Sequence, residues 1–333
     1  MGVALRDIIA DYKMPITWEG LAGVAAIDAN NTLYQFLTII RQPDGTPLMD
    51  ERGRVTSHLS GILFRTGNFL AKGIKPVFVF DGKPALLKQE TIDQRRKIRD
   101  EAGERWKEAL ERGDEAEAYK QARSSTRVDS TIIETSKELL RLMGIPSVQA
   151  PGEGEAQAAY MVSKGEARYA VSQDYDTLLF GTPTLVRNLT VSGKRKIRGR
   201  TITVNPERVV LTEVLGGLQI SREQLIEIGI LVGTDFNPGV HGVGPKTGLK
   251  LVQKGEFRAK LKESIPDFDP APVVEMFLHP AVTNDYALSW GSPDPEGIKK
   301  MLCDGYEFSE ERVEKALEGF AVKAGQKTLE NWF

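Results

Sequence analysis

Short runs of apolar residues alternate along most of the chain with longer segments in which apolar residues recur at helical spacing. Uninterrupted apolar runs of this length are typical of strands that are buried on both faces of a parallel sheet. We predict strands at 24–29, 76–80, 147–150, 169–172 and 184–189. We predict helices at 57–72, 130–143, 154–164, 206–216 and 221–232. The alternation predicts an α/β fold in which helices flank a parallel sheet.

Three segments depart from this pattern. Residues 83–127 are highly charged and helix-prone with few apolar positions, so we predict a helical insertion that projects from the body, broken at Gly103 and at Gly113-Asp114. Residues 190–200 form a short basic loop or hairpin. Residues 323–333 follow a charged helix and are expected to form a tail outside a single domain of residues 1–322.

Composition narrows the classes of protein that fit. The 333 residues include 44 basic and 46 acidic side chains, so any nucleic-acid contact must come from a local patch rather than from the net charge of -2. The single cysteine, Cys303, excludes an internal disulfide and a cysteine-rich zinc site. The chain has no secretory signal and no long apolar stretch, which predicts an intracellular, cytoplasmic protein with no membrane segment.

Acidic residues follow the predicted strands. Asp28, Asp81 and Asp174 come at the ends of three apolar runs, and the carboxyl ends of parallel strands meet at one edge of a sheet. Glu153 and Glu155 begin the helix after another strand, so they open onto the same edge. Two further acids complete the set: Asp176, two residues beyond Asp174, and Asp235, just beyond the end of an apolar helix.

Taken singly, each of these acids is more typical of a helix cap or a solvated loop. Together they would repel one another and raise their pKa values unless cations neutralise them. Carboxylates without His or Cys partners favour Mg²⁺ or Mn²⁺ over zinc. Two such ions roughly 3.5–4 Å apart form the usual clamp for in-line displacement at phosphorus. The cluster therefore predicts phosphodiester hydrolysis.

Five ordered blocks resemble the signature blocks of the flap endonuclease family of structure-specific 5′ nucleases. They read VAAIDANNTLYQF, FVFDGKPALLKQETIDQRR, PGEGEAQAAYM, AVSQDYDTLLFG and LVGTDFNPGVHGVGPKTG. The resemblance implies a PIN-like fold and removal of 5′ DNA flaps in replication (Okazaki fragment maturation) and repair, with 5′–3′ exonuclease activity. It also implies two Mg²⁺ ions, replaceable by Mn²⁺. The matching metal-site acids are Asp28, Asp81, Glu153, Glu155, Asp174, Asp176 and Asp235.

The charged insertion gains a role from the same resemblance. Lys88 and Arg95 are seven residues apart and share one helix face, although a charge run is usually a solvated face. The resemblance implies that residues 83–127 are a helical arch that the flap threads, and that this basic pair stabilises charge on the scissile phosphate. It also implies that Tyr34, otherwise a core candidate, stacks on a base, and that Gly2 lies near the nucleic acid.

The glycine-rich segment GVHGVGPKTG is not a nucleotide phosphate loop, because Pro245 separates Gly244 from Lys246 and no strand precedes it. A plain interhelical turn is one interpretation. Helices on both sides favour a helix-hairpin-helix over residues 221–258, in which backbone amides near Gly242 and Gly244, with Lys246, hold duplex phosphates. The family resemblance adds a potassium ion held by carbonyl groups of this turn.

The last residues resemble the sliding-clamp-binding motif, with clamp PCNA as the implied partner. The matching positions are Gln326, Leu329, Trp332 and Phe333. A hydrophobic terminus folded back on the body is the alternative. The family usually has Phe where Trp332 stands, and the basic tail of eukaryotic members is absent, which favours an archaeal-type enzyme.

Three functions therefore remain open for what we expect to be a monomer. The first is a flap endonuclease. The second is a related 5′ exonuclease or bubble-cutting nuclease, which the short arch and the clamp motif disfavour. The third is a non-catalytic adaptor for branched DNA, which the complete acid set disfavours. A phosphatase would explain Asp174 and Asp176 but neither the arch nor the hairpin.

Overall fold

The strands and helices come from a computed structural model, which describes residues 2–42, 44–191, 193–197 and 200–324. The strands are β1 Met14–Pro15, β2 Gly23–Asp28, β3 Ile74–Phe80, β4 Ser147–Gln149, β5 Tyr169–Val171, β6 Thr184–Arg187, β7 Gly193–Ile197, β8 Arg200–Val204 and β9 Glu207–Val210. The helices are α1 Arg6–Ile9, α2 Ala29–Ile39, α3 Ser57–Ala71, α4 Gln89–Glu111, α5 Glu115–Ser124, α6 Ser130–Leu142, α7 Gly154–Ser163, α8 Asp176–Leu179, α9 Leu211–Leu218, α10 Arg222–Val232, α11 Pro245–Gln253, α12 Phe257–Ser264, α13 Ala271–Leu278, α14 Pro295–Lys299 and α15 Glu310–Ala324.

One sheet carries the fold, with strand order β1-β9-β6-β5-β2-β3-β4. The strands from β6 to β4 are parallel to their neighbours, whereas β9 runs antiparallel to both β6 and β1. The predicted parallel α/β core is confirmed, with an antiparallel extension at one edge. The basic segment after β6 forms a separate hairpin of β7 and β8.

Both faces of the parallel strands are covered, as the uninterrupted apolar runs require. Along β3, Phe78 and Phe80 pack into the same cluster as buried residues of α2, α3 and α6, while Val77 and Val79 belong to a cluster that includes α7. The alternation follows from the period of two along a strand. Because Val77 and Val79 face this second cluster, α7 packs on that face of the sheet. The two predicted acids Glu153 and Glu155 stand at the start of α7.

The predicted helix at 206–216 is wrong at its beginning. Residues Glu207–Val210 form β9, and the helix α9 begins only at Leu211 and ends at Leu218. Val209 and Arg208 lie opposite Leu185 and Val186 of β6, so strand pairing at the open edge of the sheet overrides helical periodicity here. Gln219 then ends α9 in a left-handed conformation, with φ 54°.

The insertion at 83–127 is a helical hairpin of α4 and α5, as predicted, but Gly103 does not break it. Helix α4 runs through Gly103, where a glycine costs only about 1 kcal/mol relative to alanine. The turn comes at Gly113, with φ 68°, and at Asp114, whose carboxylate accepts a hydrogen bond from the Glu117 amide at 3.0 Å. Small side chains let the two helices pack closely: Ala102, Ala109, Ala118 and Ala122 are buried.

The region predicted as a helix-hairpin-helix consists of α10 and α11 joined by a twelve-residue loop at 233–244. Ser221 and Gln224 form a capping box at the start of α10, and Pro245 occupies the first turn of α11. Within the described ranges, no helix combines the length and apolar content that crossing a bilayer requires.

His58, on α3, makes folding sensitive to acid. Burial lowers the pKa of His58 from 6.5 to about 4, although Asp129 raises it slightly. Its Nε2 atom lies 2.9 Å from the Thr135 hydroxyl, and Nδ1 has no hydrogen-bond partner among the described residues. Because the unfolded chain binds this proton more tightly, the contribution of neutral His58 to stability is complete above about pH 6.5 and is lost as pH falls towards about 4.

We therefore expect the free energy of unfolding of the wild type to fall by roughly 3 kcal/mol more than that of a His58→Gln variant between about pH 7 and about pH 4. Denaturant titrations at several pH values measure this difference. His279→Gln, on a side chain that is 71% exposed, is the control and should follow the wild type. Parallel curves for the wild type and His58→Gln would contradict the prediction.

Candidate active site

Three neighbouring strands bring three acids to one edge of the sheet. Asp28 is the last residue of β2, Asp81 follows β3, and Asp174 follows β5, in the order β5-β2-β3. Burial raises the pKa of Asp28 well above its ordinary value, and repulsion from Asp81 and Asp174 raises it further. The three carboxylates therefore lie close enough to interact electrostatically.

Helix α7 adds Glu153 and Glu155. The Gly154 amide donates to Asp81 Oδ1 at 2.7 Å, which attaches the start of α7 to the end of β3. A Cβ atom at Gly154 would lie 2.9 Å from the same oxygen, so the contact requires glycine. Burial, followed by repulsion from Asp28, Asp176 and Asp174, raises the pKa of Glu155 well above its ordinary value.

Asp174 and Asp176 are fixed from two other segments. Asn31 of α2 donates through Nδ2 to Asp174 Oδ2 at 2.9 Å, and the Val3 amide donates to Asp176 Oδ1 at 2.6 Å. Burial raises the pKa of Asp176 to about 7, with Asp174 and Asp235 adding repulsion.

One acid of the cluster is also a helix cap, the role that is typical of a single acid at such a position. Asp28 does cap α2, through the Asn31 amide at 2.9 Å, but it is 5% exposed and faces other acids.

Asp235 belongs to the same cluster. It follows α10 and pairs with Arg95 of α4 through both carboxylate oxygens, one of them 3.0 Å from a guanidinium nitrogen. Lys88 Nζ lies 3.5 Å from Asp235 and also pairs with Glu153. Burial lowers the pKa of Lys88, but its neighbours Glu153, Asp235 and Asp81 raise it more, so the net shift is upward. The predicted basic pair thus lies at the acid cluster.

The donor set fits hard divalent cations, because it consists of carboxylates that disfavour one another's ionisation. In the part of the chain that the structure describes, however, no three His, Cys, Asp or Glu side chains surround one point closely enough to hold a metal ion as they stand. The cations of Lys88 and Arg95 now neutralise part of the cluster.

Two of the predicted DNA-contacting residues lie near this site. A Cβ atom at Gly2 would stand 2.7 Å from the Asp174 Cβ and 2.9 Å from Asp176 Oδ2, so the backbone at Gly2 passes directly over these acids. Tyr34, on α2, is 37% exposed and is not a core residue. It lies near Arg99 of α4.

The predicted hairpin contacts form a second, exposed group. Gly242 has φ 79°, which favours glycine, and Gly244 is the N-cap of α11. Lys246 follows in the first turn of α11, and all three residues are exposed. The four predicted clamp-binding residues, 326 to 333, lie outside the described residues.

Sequence reasoning missed the neutral donors around the acids. Ser172 and Thr177 donate to Glu155 Oε1 at 2.8 and 3.0 Å, and Asn31 reaches Asp174. Each stands within five residues of a predicted acid. One sequence signal could have identified these donors. Each is a small polar residue close to an acid that follows an apolar strand.

Two family models match the chain: XPG N-terminal domain over residues 1–102 and XPG I-region over residues 144–235. Flap endonuclease 1 of Methanoregula boonei is 75% identical over 333 residues, which are 100% of both chains. Among solved structures, flap endonuclease-1 from Methanococcus jannaschii superposes with a TM-score of 0.79 and 41% identity, covering 98% of this chain and 100% of that one. The catalytic core of Rad2 in complex with DNA substrate gives 0.71 and 25% identity, covering 94% and 98%.

Proposed function

Because the chain belongs to the flap endonuclease family, we propose that its seven clustered carboxylates form a two-metal centre that hydrolyses phosphodiester bonds at 5′ flaps of DNA. The observation that carries the proposal is the cluster itself, in which acids from three adjacent strands and from α7, α8 and the loop after α10 interact. The enzyme is a metal-dependent, structure-specific nuclease of DNA replication and repair, and 5′–3′ exonuclease activity accompanies flap cleavage.

Two Mg²⁺ ions, or Mn²⁺ in their place, would polarise the scissile phosphate and help a water molecule to attack it. We assign their binding to the seven acids of the cluster. These are Asp28, Asp81, Glu153, Glu155, Asp174, Asp176 and Asp235. The protein's part is to hold the carboxylates at the carboxyl edge of the sheet, which it does through the amides of Gly154 and Val3 and through Asn31.

Lys88 and Arg95 would serve as catalytic cations. Both now pair with acids of the cluster, so both would be within reach of a phosphate bound at the proposed metal centre. Hydrolysis spreads charge over the phosphoryl oxygens, and fixed cations stabilise that charge more than they stabilise the ground state. We propose that the two side chains leave Glu153 and Asp235 for the phosphate when DNA and metal ions bind. The arch at 83–127 would then enclose the single-stranded flap.

Tyr34 and Gly2 are proposed to contact the DNA next to the cut. A partly exposed ring on α2 can stack on any base, because every base has a π-face. At Gly2 the absence of a side chain keeps the backbone close to Asp174 and Asp176 and leaves room for the strand.

The hairpin at 221–258 is proposed to hold the duplex without reading its sequence. No side chain caps the start of α11 at Gly244, and a helix N-terminus of this kind attracts phosphate. Without a bound anion, the positive charge of Lys246 would be unfavourable in the first turn of α11, because the positive end of the helix dipole lies there. Carbonyl groups of the loop would hold a potassium ion, whose positive charge would attract phosphate.

Cleavage assays test the proposed function. Labelled 5′-flap duplex, blunt duplex and single strand are incubated with purified protein, with and without Mg²⁺. We expect cutting of the flap substrate only with Mg²⁺, and slower trimming of the blunt duplex. Cleavage that is fastest on bubbles or free 5′ ends would make the chain a different nuclease of the same family, and metal-independent binding without cleavage would make it an adaptor.

The tail at 323–333 is proposed to bind the sliding clamp PCNA, with the nuclease acting as a monomer inside the cell. Two aromatics beyond the last core helix are a solubility liability unless a partner receives them, and aromatic anchors dominate such interfaces. We expect deletion of residues 326–333 to leave basal flap cleavage and the melting temperature nearly unchanged and to abolish stimulation by the cognate clamp.

The matched control for that deletion is the double variant Trp332→Ala, Phe333→Ala, which should lose stimulation to the same extent. Cleavage with and without clamp, together with thermal melts, provides the measurement. A large drop in melting temperature would place the tail in the core, and undiminished stimulation would place the clamp site elsewhere.

A further inference from the structure

One buried hydroxyl contacts three of the seven acids. Ser172 follows β5 and is 4% exposed. Its Oγ lies 2.8 Å from Glu155 Oε1 and 3.3 Å from Asp28 Oδ2, and it accepts a hydrogen bond from the Asp174 amide at 3.2 Å. A serine has one proton to donate, and the shorter distance gives that proton to Glu155. The hydroxyl therefore joins acids from β2, α7 and the segment after β5.

A second hydroxyl acts on the same carboxylate. Thr177 of α8 is 1% exposed and donates to Glu155 Oε1 at 3.0 Å. Both neutral donors thus use one oxygen of Glu155. The carboxylate of a glutamate turns easily about its last torsion angle, so two donors on one oxygen fix its orientation. Oε2 is then directed away from both hydroxyls.

These donors have a physical task in the cluster. Glu155 is buried and is surrounded by Asp28, Asp176 and Asp174, which all disfavour its ionised form. A hydroxyl that donates a hydrogen bond stabilises the carboxylate without adding charge, and it leaves the positive charge for the metal ion to supply. Groups that orient metal ligands in this way typically change metal affinity by about 10–100-fold when they are removed.

We propose that Ser172 and Thr177 are positioning residues that hold Glu155 by Oε1 and present Oε2 to a divalent metal ion, with Ser172 also holding the backbone of Asp174 by accepting its amide. The inference rests on the proposed metal centre. It goes further by naming which oxygen of Glu155 is the ligand and which uncharged side chains set its direction.

The test uses Mn²⁺ and the full chain without DNA. Free Mn²⁺ is measured by electron paramagnetic resonance during titration of the wild type, Ser172→Ala, Thr177→Val and Thr177→Ser. Valine has the shape of threonine without the hydroxyl, and serine retains it. Ser136→Ala is the matched control, because Ser136 is also buried and its hydroxyl donates to the Ile132 carbonyl at 2.6 Å, within α6.

We expect Ser172→Ala and Thr177→Val each to weaken Mn²⁺ binding about tenfold. Thr177→Ser and Ser136→Ala should bind as the wild type does. In flap cleavage, the half-saturating Mg²⁺ concentration should rise by a similar factor in the two weakened variants, while the rate at saturating Mg²⁺ changes much less. Recovery of affinity in Thr177→Ser separates a hydrogen-bonding role from a purely structural one.

Two results would overturn the inference, and they differ in what else they overturn. Wild-type Mn²⁺ affinity in both Ser172→Ala and Thr177→Val removes the positioning role and leaves the metal centre intact. Failure of the wild type itself to bind Mn²⁺ removes the metal centre and this inference with it. If Ser172→Ala does not fold, the comparison of Thr177→Val with Thr177→Ser decides.

Discussion

Replacing Asp174 with alanine should abolish flap cleavage while leaving DNA binding nearly unchanged. Asp174 lies at the centre of the acid cluster, where it affects the ionisation of Asp28, Glu155 and Asp176. Its removal takes away a proposed metal ligand, whereas the residues proposed to contact phosphate in the hairpin and the arch remain. A metal ion supplies several kcal/mol of transition-state stabilisation, so we expect a loss of roughly 10³-fold or more in the single-turnover rate.

The measurement pairs single-turnover cleavage with a binding titration on the same labelled flap DNA. The control is Glu134→Ala, an exposed acid on α6, which should cleave and bind as the wild type does. Near-wild-type turnover of Asp174→Ala would remove this residue from the metal centre. Equal losses in cleavage and binding would instead point to a damaged fold, which a thermal melt would reveal.

Arg95→Ala should slow single-turnover cleavage by about 10²–10³-fold, the usual loss for one group that stabilises a developing oxyanion. Duplex binding should weaken only a few-fold, because the contact strengthens mainly in the transition state. The guanidinium group already reaches Asp235 in the cluster, so it can reach a phosphate bound there.

Arg96→Ala is the matched control, since Arg96 is the next residue on α4 and is exposed. It should retain the wild-type rate of cleavage. Its affinity for DNA should fall only slightly, through the loss of one exposed positive charge. Equal losses of rate and affinity in Arg95→Ala would make Arg95 a simple binding residue and contradict its catalytic assignment.

The sequence predicted the acid edge well for a definite physical reason. Strands buried on both faces appear as continuous apolar runs, and a parallel arrangement directs their carboxyl ends to one side. Asp28, Asp81 and Asp174 could therefore be grouped from local sequence alone. Glu153 and Glu155 followed because a helix must begin near the end of the preceding strand.

Other parts of the fold depend on tertiary contacts that no local pattern records. The segment Glu207–Val210 becomes a strand because β6 offers it an open edge, and its sequence fits a helix equally well. Gly103 stays helical because α4 is long enough to absorb its cost.

The same limit applies to the site. The pairing of Arg95 with Asp235 joins residues 140 positions apart, and the contact between Ser172 and Asp28 spans 144. Loops of that length close only when the whole fold forms. Residue type and spacing identified the charged groups, but they could not show which charges neutralise each other or which hydroxyls turn the carboxylates.

The passage of the backbone at Gly2 over Asp174 and Asp176 has a practical consequence for handling the enzyme. Any peptide fused ahead of Gly2 begins its path next to Asp174 and Asp176, because Val3 is anchored by its amide to Asp176. With the active site proposed above, such a fusion would compete with the nucleic acid for the same opening. A purification handle placed there should depress turnover until a protease removes it, and a scar of one or two bulky residues should leave part of that inhibition behind.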